Sequence, residues 1–283
     1  MVSISQSIDQ ACQLLGNTST SPRIDAQVLL CHVLQCNTAY LATWPEKTLS
    51  ATQDRSFNAL IRKRLTGMPV AYLIDEKEFW SLKLKVSQDT LIPRPETELL
   101  VETVLSMFQR EEQLDIIDLG TGTGAIAIAL ASERPDWKVT ATDISGEALA
   151  ISKHNAERHS IKNITFITSD WFGSLGSQTF DIVISNPPYI AEHDTHLEEG
   201  DVRFEPQNAL VSGNMGMDDI LKITEQSTEH LNDGGWLVME HGYDQKKLVS
   251  DCLHGSGFIS ITQKNDLSGN PRLTIGQYKK TSV

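Results

Sequence analysis

Four consecutive residues, Asn186-Pro187-Pro188-Tyr189, carry the groups that an unreactive nitrogen would need. A planar amide or an aromatic exocyclic amine has a delocalised lone pair and is a poor nucleophile, so a site using one must orient the NH2 group and draw it out of conjugation. Asn186 Oδ1 and the backbone carbonyl of Pro187 can accept its two N–H bonds, which aims the lone pair at an electrophilic carbon. Tyr189 offers a ring face or edge to the planar group, and Pro188 stiffens the loop. With a sulfonium methyl as electrophile no strong base is needed beforehand, because the alkylated nitrogen becomes acidic and sheds its proton. A motif that opens on Asn rather than Asp fits that chemistry. At average composition the tetrapeptide arises in about one chain in a thousand of this size, so its presence is a strong signal.

A second constellation suits a nucleotide-like cofactor. Asp118-Leu119-Gly120-Thr121-Gly122-Thr123-Gly124 closes a strand pattern and opens a helix pattern, where glycines let the backbone approach a ligand. Asp143 closes the next strand with a carboxylate able to accept both ribose hydroxyls, at a spacing that suits a dinucleotide or S-adenosylmethionine. Gly120, Gly122 and Ala125 also satisfy G-x-G-x-x-A, so the loop alone leaves both cofactors open. Asp170 and Trp171 end the third strand and suit an adenine, Asp170 accepting from its N–H and Trp171 stacking on its ring for about 1–3 kcal/mol. A nicotinamide enzyme has no use for Asn-Pro-Pro-Tyr, so S-adenosylmethionine is the cofactor expected.

These motifs need elements to hold them. From Leu114 onward strands and helices alternate: strands over 114–119, 138–142, 163–168 and 180–185, with helices over 124–132 and 146–159. A helix over 217–231, a strand over 235–240, a helix over 243–253 and strands over 259–264 and 272–278 follow. The rhythm predicts a doubly wound, mostly parallel α/β sheet whose last two strands, joined by a short Asp266–Asn270 turn, pair antiparallel at one edge. Residues 1–75 show short helical patterns instead. In one of them Ile24, Val28, Leu29, Cys31 and Leu34 share a broad face behind Ser21 as N-cap and Pro22; a second helix spans about 50–66. This predicts a small helical domain. Between the two, Trp80, Leu82, Leu84 and Val86 alternate with polar residues, so a β-hairpin linker is expected at 76–93, leading into the proline-stiffened Ile92-Pro-Arg-Pro-Glu-Thr-Glu and the main domain at 94–283.

Composition narrows the partners. The 283 residues carry a net charge of −13, split into 9 Lys/Arg against 8 Asp/Glu before residue 94 and 15 against 29 after it. A sequence-independent grip on nucleic acid needs clustered cations, and the larger half would repel phosphate, so no direct nucleic-acid contact is expected. The longest apolar run, Ala125–Ala131, is far short of the roughly 20 residues that span a bilayer, so no membrane contact is expected. The opening residues show neither a basic nor an apolar leader segment, which predicts a cytoplasmic protein. Cys12, Cys31, Cys36 and Cys252 form no C-x-x-C pair and are expected as reduced thiols. His193 and His196 with Asp194 and Glu198 lie in a polar loop without a further ligand cluster, so no metal site is expected. Arg94 and Glu96 either line the acceptor pocket or cap the helix that starts near Glu96.

Along nearly its whole length the chain resembles the N5-glutamine methyltransferases of peptide chain release factors, also called PrmC or HemK. The resemblance rests on the glycine loop, Asn-Pro-Pro-Tyr, Arg64-Leu-Thr-Gly-Met-Pro-Val-Ala-Tyr, Glu78-Phe-Trp, Leu91-Ile-Pro-Arg-Pro-Glu-Thr-Glu, Arg203-Phe-Glu-Pro-Gln-Asn-Ala-Leu, and the Asp266–Gly276 segment with Arg272. It implies a Rossmann-like class I methyltransferase sheet and methyl transfer to the glutamine of the Gly-Gly-Gln loop of release factors. It further implies that Gly120 to Gly124, Asp143, Trp171 and Asn186 serve S-adenosylmethionine, that Asn186 to Tyr189 hold the glutamine amide, and that the helical domain grips the release factor. The chain departs from the family pattern at Asp75, where Gly is usual in a turn, and at Met215, where a polar residue is common. The rival chemistry is N-methylation of an exocyclic amine on a flipped nucleic-acid base, which Asn-Pro-Pro-Tyr would serve equally; the missing basic strip argues against it.

Overall fold

A computed structural model describes residues 2–109 and 112–280. The chain divides into two compact units, Met1–Glu76 with His196–Phe204, and Lys77–Thr195 with Glu205–Val283.

The first unit is helical: α1 (Ile4–Leu15), α2 (Pro22–Leu34), α3 (Thr38–Thr43), α4 (Ala51–Leu65) and α5 (Val70–Ile74). Ser3 with Gln6 and Ser50 with Gln53 form capping boxes at α1 and α4, which satisfy otherwise unpaired helix N–H groups. Two expectations for α2 need correction. Ile24 is 62% exposed, and the buried face carries Ala26, Leu29 and Leu30, because α2 packs against both α1 and α4. Ser21 occupies the N-cap position but makes no side-chain cap bond; its hydroxyl donates to Asp25 instead. Asp25 is needed elsewhere, since its carboxylate lies 2.8 Å from the Arg64 guanidinium, which also meets Asp201 at 3.0 Å and donates to the carbonyls of Gly67 and Met68. Five oriented donors on one planar group make Arg64 the fixture that attaches the 196–204 segment to this unit. Asp75 ends α5 with φ +55°, the left-handed conformation that Asp tolerates better than most residues.

A hairpin of β1 (Glu76–Phe79) and β2 (Leu82–Lys85) follows. The apolar alternation expected to run through Trp80 is broken there. Trp80 and Ser81 both have positive φ, +52° and +58°, and form the two-residue turn. Such turns twist with the strands they join but usually advertise themselves with Asn-Gly, which is missing here.

The second unit carries a seven-stranded sheet. Its strands are β3 (Asp115–Leu119), β4 (Lys138–Asp143), β5 (Ile164–Thr168), β6 (Phe180–Ser185), β7 (Leu231–Glu240), β8 (Phe258–Asn265) and β9 (Pro271–Tyr278), in the order β5-β4-β3-β6-β7-β9-β8. The first five are parallel to one another, while β9 runs antiparallel to both β7 and β8, as the helix-free Asp266–Asn270 connection requires. Helices α6 (Glu98–Met107), α7 (Ala125–Glu133), α8 (Gly146–Arg158), α9 (Asp218–His230) and α10 (Lys246–Gly255) complete it. Ile116, Ile117, Ile182, Val183, Ile184, Leu237 and Val238 are fully buried, each worth roughly 1.5–3 kcal/mol over exposure. Helix α7 is buried from Ala125 to Ala131, which explains why it is apolar all round. No helix among the described residues is long and apolar enough to cross a membrane.

The strand order reverses between β3 and β6, and ligands in open α/β sheets bind outside the carboxyl ends of the strands at such a point. Leu119 of β3 pairs with Ser185 of β6, so Gly120 and Asn186 leave the sheet side by side.

Candidate active site

The glycine loop is shaped by positive φ at Gly120 (+70°), Gly122 (+55°) and Gly124 (+82°). A Cβ on Gly120 would stand 3.2 Å from the Trp171 ring, and one on Gly124 would fall onto Ser152 Oγ and 2.8 Å from Ile128 Cδ1. The loop is tied down by backbone and buried side chains. Thr121 N donates to the Thr142 carbonyl at 2.8 Å, and Asn155 Nδ2 donates to both the Thr123 and Lys85 carbonyls. Asp118 Oδ2 accepts from the Thr121 hydroxyl and Ala127 N, while Oδ1 is buried without a partner.

Burial pushes the Asp118 carboxyl up to about 7, partly offset by those two donors, with the Asp143 charge adding to the rise. A folded-state value above the unfolded one means that the folded chain binds a proton the unfolded chain releases. The resulting stability is complete below about pH 4 and is lost as pH rises through 7. Melting temperature is therefore expected to climb as pH falls from 8 to 6, and Asp118→Asn is expected to flatten that climb; equal slopes in thermal melts of the two proteins would contradict it.

A cavity of about 250 Å³ opens beside this loop. Of the residues singled out in the sequence, Gly120, Gly122, Asp143, Asp170, Trp171, Asn186 and Pro188 line it. Thr121 and Thr123 are buried and Gly124 packs on α8, and like Pro187 and Tyr189 they are not among the lining residues. Asp143 Oδ2 accepts from Gly122 N and Oδ1 from Ser145 N, which fixes the carboxylate at the cavity wall. Trp171 holds φ +50°, unusual for so bulky a side chain, and its Nε1 donates to Asp219, itself anchored by the Ser212 hydroxyl. Asp170 is paired with Lys222 at 2.8 Å. Leu91, Asn208 and Ala209, which belong to the Leu91-Ile-Pro-Arg-Pro-Glu-Thr-Glu and Arg203-Phe-Glu-Pro-Gln-Asn-Ala-Leu strings, also line the cavity, as do Thr90 and Asp219, which carried no signal in the sequence.

The Asn186–Tyr189 loop is braced from several sides. Asn186 Nδ2 donates to Thr97 Oγ1 at 3.2 Å, and the Tyr189 hydroxyl donates to Glu240 Oε1 at 3.3 Å. Gln245 Oε1 accepts from Gly242 N, which turns its Nε2 toward the carbonyls of Tyr189, Met215 and Gly216. Met215 is 65% exposed, so only its backbone takes part. Glu205, fully buried at its side chain, pairs with Arg94 at 2.6 Å and accepts from Ile92 N. It thus couples two separate sequence strings, and Arg94 makes no side-chain cap bond to the turn that follows it.

The residues fit S-adenosylmethionine: a glycine cradle that a Cβ would fill, an acidic strand end for hydroxyls, and an indole at the wall. Fold and site together define a Rossmann-like methyltransferase. Residues 95–204 match the model for the methyltransferase small domain and residues 6–74 that for the PrmC N-terminal domain. The chain is 49% identical to the release factor glutamine methyltransferase of Aliivibrio fischeri over 92% of each chain, and 42% identical to that of Coxiella burnetii over 98% of this chain and 99% of the other. A methyltransferase of Pyrococcus furiosus has the same fold, with a TM-score of 0.54 and 20% identity over 79% of this chain and 98% of that one. The chain belongs to the release factor glutamine methyltransferase family.

Proposed function

We propose that the cavity binds S-adenosylmethionine and that Asn186 presents to it the side-chain amide nitrogen of the glutamine in the Gly-Gly-Gln loop of peptide chain release factors. One observation carries this reading: Gly120 and Asn186 leave adjacent strands together and line one cavity, so a cofactor on the first lies against an acceptor on the second. Gly120, Gly122, Asp143 and Trp171 would hold the cofactor, with Thr121, Thr123 and Gly124 shaping the loop beneath it and Asp170 at the adenine end. When bound, the cofactor supplies a sulfonium methyl.

The chain's own part is to accept and exclude. Asn186 Oδ1 and the Pro187 carbonyl accept hydrogen bonds from the two amide N–H groups, Pro188 and Tyr189 hold the loop, and the low-dielectric wall strengthens both bonds. The amide proton released after transfer goes to solvent. The working compartment is the cytoplasm, with release factors as protein partners and no direct nucleic-acid contact.

Mass spectrometry of unmethylated release factor, incubated with this protein and S-adenosylmethionine beside an RNA and DNA pool, tests the reading. One CH2 gained on the Gly-Gly-Gln glutamine supports it; methyl transfer to nucleic acid alone overturns the substrate. The acidic residues after position 93 also lead us to expect that a release-factor tip shaped to approach ribosomal RNA is basic and is drawn in by charge. Raising salt from about 0.05 to about 0.5 M is then expected to lower kcat/KM on intact release factor on the order of tenfold. A short uncharged Gly-Gly-Gln peptide is expected to show no such loss, and equal salt responses would remove the steering.

A further inference from the structure

Among the described residues Trp171 is the one aromatic ring that lines the cavity, and its φ of +50° is a strained conformation that persists only where the surroundings fix it. Two contacts hold the indole, at opposite ends. Its benzo edge lies against the glycine loop, since a Cβ on Gly120 would stand 3.2 Å from Cζ3 and 3.6 Å from Cη2. At the other end Nε1, the ring's single polar group, donates to Asp219 Oδ1 at 3.2 Å.

Asp219, the second residue of α9, is itself held. Its Oδ2 accepts from the Ser212 hydroxyl at 2.7 Å, and its backbone N donates to the same Oγ at 2.8 Å. One hydroxyl thus gives its proton to the carboxylate and a lone pair to an N–H at the start of the helix. Ser212 is 2% exposed, and its backbone N donates to the Ile190 carbonyl at 3.0 Å, one residue past the Asn186–Tyr189 loop. The frame that orients the carboxylate is therefore the one that carries that loop.

We propose that Asp219 is a positioning residue that sets the plane of the Trp171 indole on which the adenine of S-adenosylmethionine stacks. The inference rests on the reading that the cavity binds that cofactor. A ring gripped only at its benzo edge can swing about χ2. A hydrogen bond at the N–H end removes that motion, so the stacking face is set before the ligand arrives and less ordering opposes binding. Asp219 also lines the cavity. A carboxylate that touched the ligand directly would act whatever ring stood at position 171, whereas one that acts through the indole loses its effect with the N–H.

Asp219→Leu keeps the shape of the side chain and removes the acceptor, while Asp219→Asn keeps an oxygen for Nε1. In calorimetry with S-adenosylmethionine, Asp219→Leu is expected to weaken binding by about 5- to 30-fold, part of what a stacked ring contributes, and Asp219→Asn by less than about threefold. On a Gly-Gly-Gln peptide the loss is expected in the KM for the cofactor rather than in kcat. In a Trp171→Phe background, which keeps a ring but has no N–H, Asp219→Leu is expected to cause no further loss. Should Asp219→Leu fail to fold, Ser212→Ala frees the carboxylate instead, and a weaker loss that is again absent beside Trp171→Phe is expected. In ligand-free protein the Trp171 indole N–H resonance in 15N NMR, assigned by its absence from Trp171→Phe, is expected to move further in Asp219→Leu than in Asp219→Asn.

Three results overturn the proposal: Asp219→Leu binding as tightly as the wild type, Asp219→Asn binding as weakly as Asp219→Leu, or a loss that persists undiminished beside Trp171→Phe. A wild type that binds no S-adenosylmethionine faults the cofactor reading instead, and the ligand-free resonance still shows whether Asp219 holds the ring.

Discussion

Asn186→Ala is expected to fold, to bind S-adenosylmethionine within about tenfold of the wild type, and to transfer methyl more slowly by about 10²–10³. The magnitude follows from what is lost. Asn186 stands at the end of β6 beside Gly120, held by Thr97, and in the proposed mechanism it supplies one of two acceptors that orient the amide nitrogen. The second acceptor is a backbone carbonyl, which survives the substitution, so binding energy for the glutamine persists while its orientation does not. Truncating the side chain leaves the Thr97 hydroxyl without one partner, a cost of about 1–3 kcal/mol at most and too small to unfold the sheet. Single-turnover transfer to a Gly-Gly-Gln peptide measures the effect, and a near wild-type rate would strip Asn186 of its role.

Gly216→Ala is expected to be nearly as damaging although Gly216 does not line the cavity. Its φ is +67°, which a residue with a side chain adopts at a cost of roughly 1–2 kcal/mol. The added Cβ would fall onto the Tyr189 carbonyl oxygen and 2.7 Å from its carbonyl carbon. Neither atom can rotate away, because both belong to the backbone that follows the two prolines, and Gln245 already binds that same oxygen at 3.0 Å. The acceptor loop must shift as a body, and displacement of about 1 Å can cost on the order of 10²-fold in rate. A methylation assay together with a thermal melt checks this, with lost kcat and a lowered melting temperature expected. Gly146→Ala is the control: nothing stands within 4 Å of its Cβ position, so rate and stability are expected to stay near wild type. If the two alanine variants behave alike, the packing of Gly216 on Tyr189 does not govern the loop.

These two positions also show how far the sequence could be read. Asn186 announced itself, because four rare residues in a row at a strand end have few other uses, and the strand periods around it are clean enough to place the sheet and its reversed edge. Gly216, Gln245 and Glu240 did not, and Glu205, although it lies in the Arg203-Phe-Glu-Pro-Gln string, gave no sign of its partners. Each acts through a partner distant in sequence, 27 residues from Gly216 to Tyr189 and 113 from Glu205 to Ile92, and a single glycine, amide or carboxylate has no period to betray it. The errors at Ile24 and Trp80 have the same origin. Ile24 satisfies a helical stripe but two neighbouring helices choose a different face, and Trp80 satisfies a strand alternation that a turn interrupts.

Residues 196–204 leave the sheet unit, join the helices, and return before Glu205. Heredity deals in contiguous stretches of gene, and this arrangement does not respect them. A recombination event that carried only the first 76 codons to another methyltransferase would deliver an Arg64 still facing Asp25 but stripped of Asp201, and a helical unit missing part of its own wall. The reciprocal event would leave the recipient with a surface loop built for helices it no longer has. The helical unit of this chain is thus not contiguous in the gene, and transplanting it means exchanging two separated stretches of coding sequence at once.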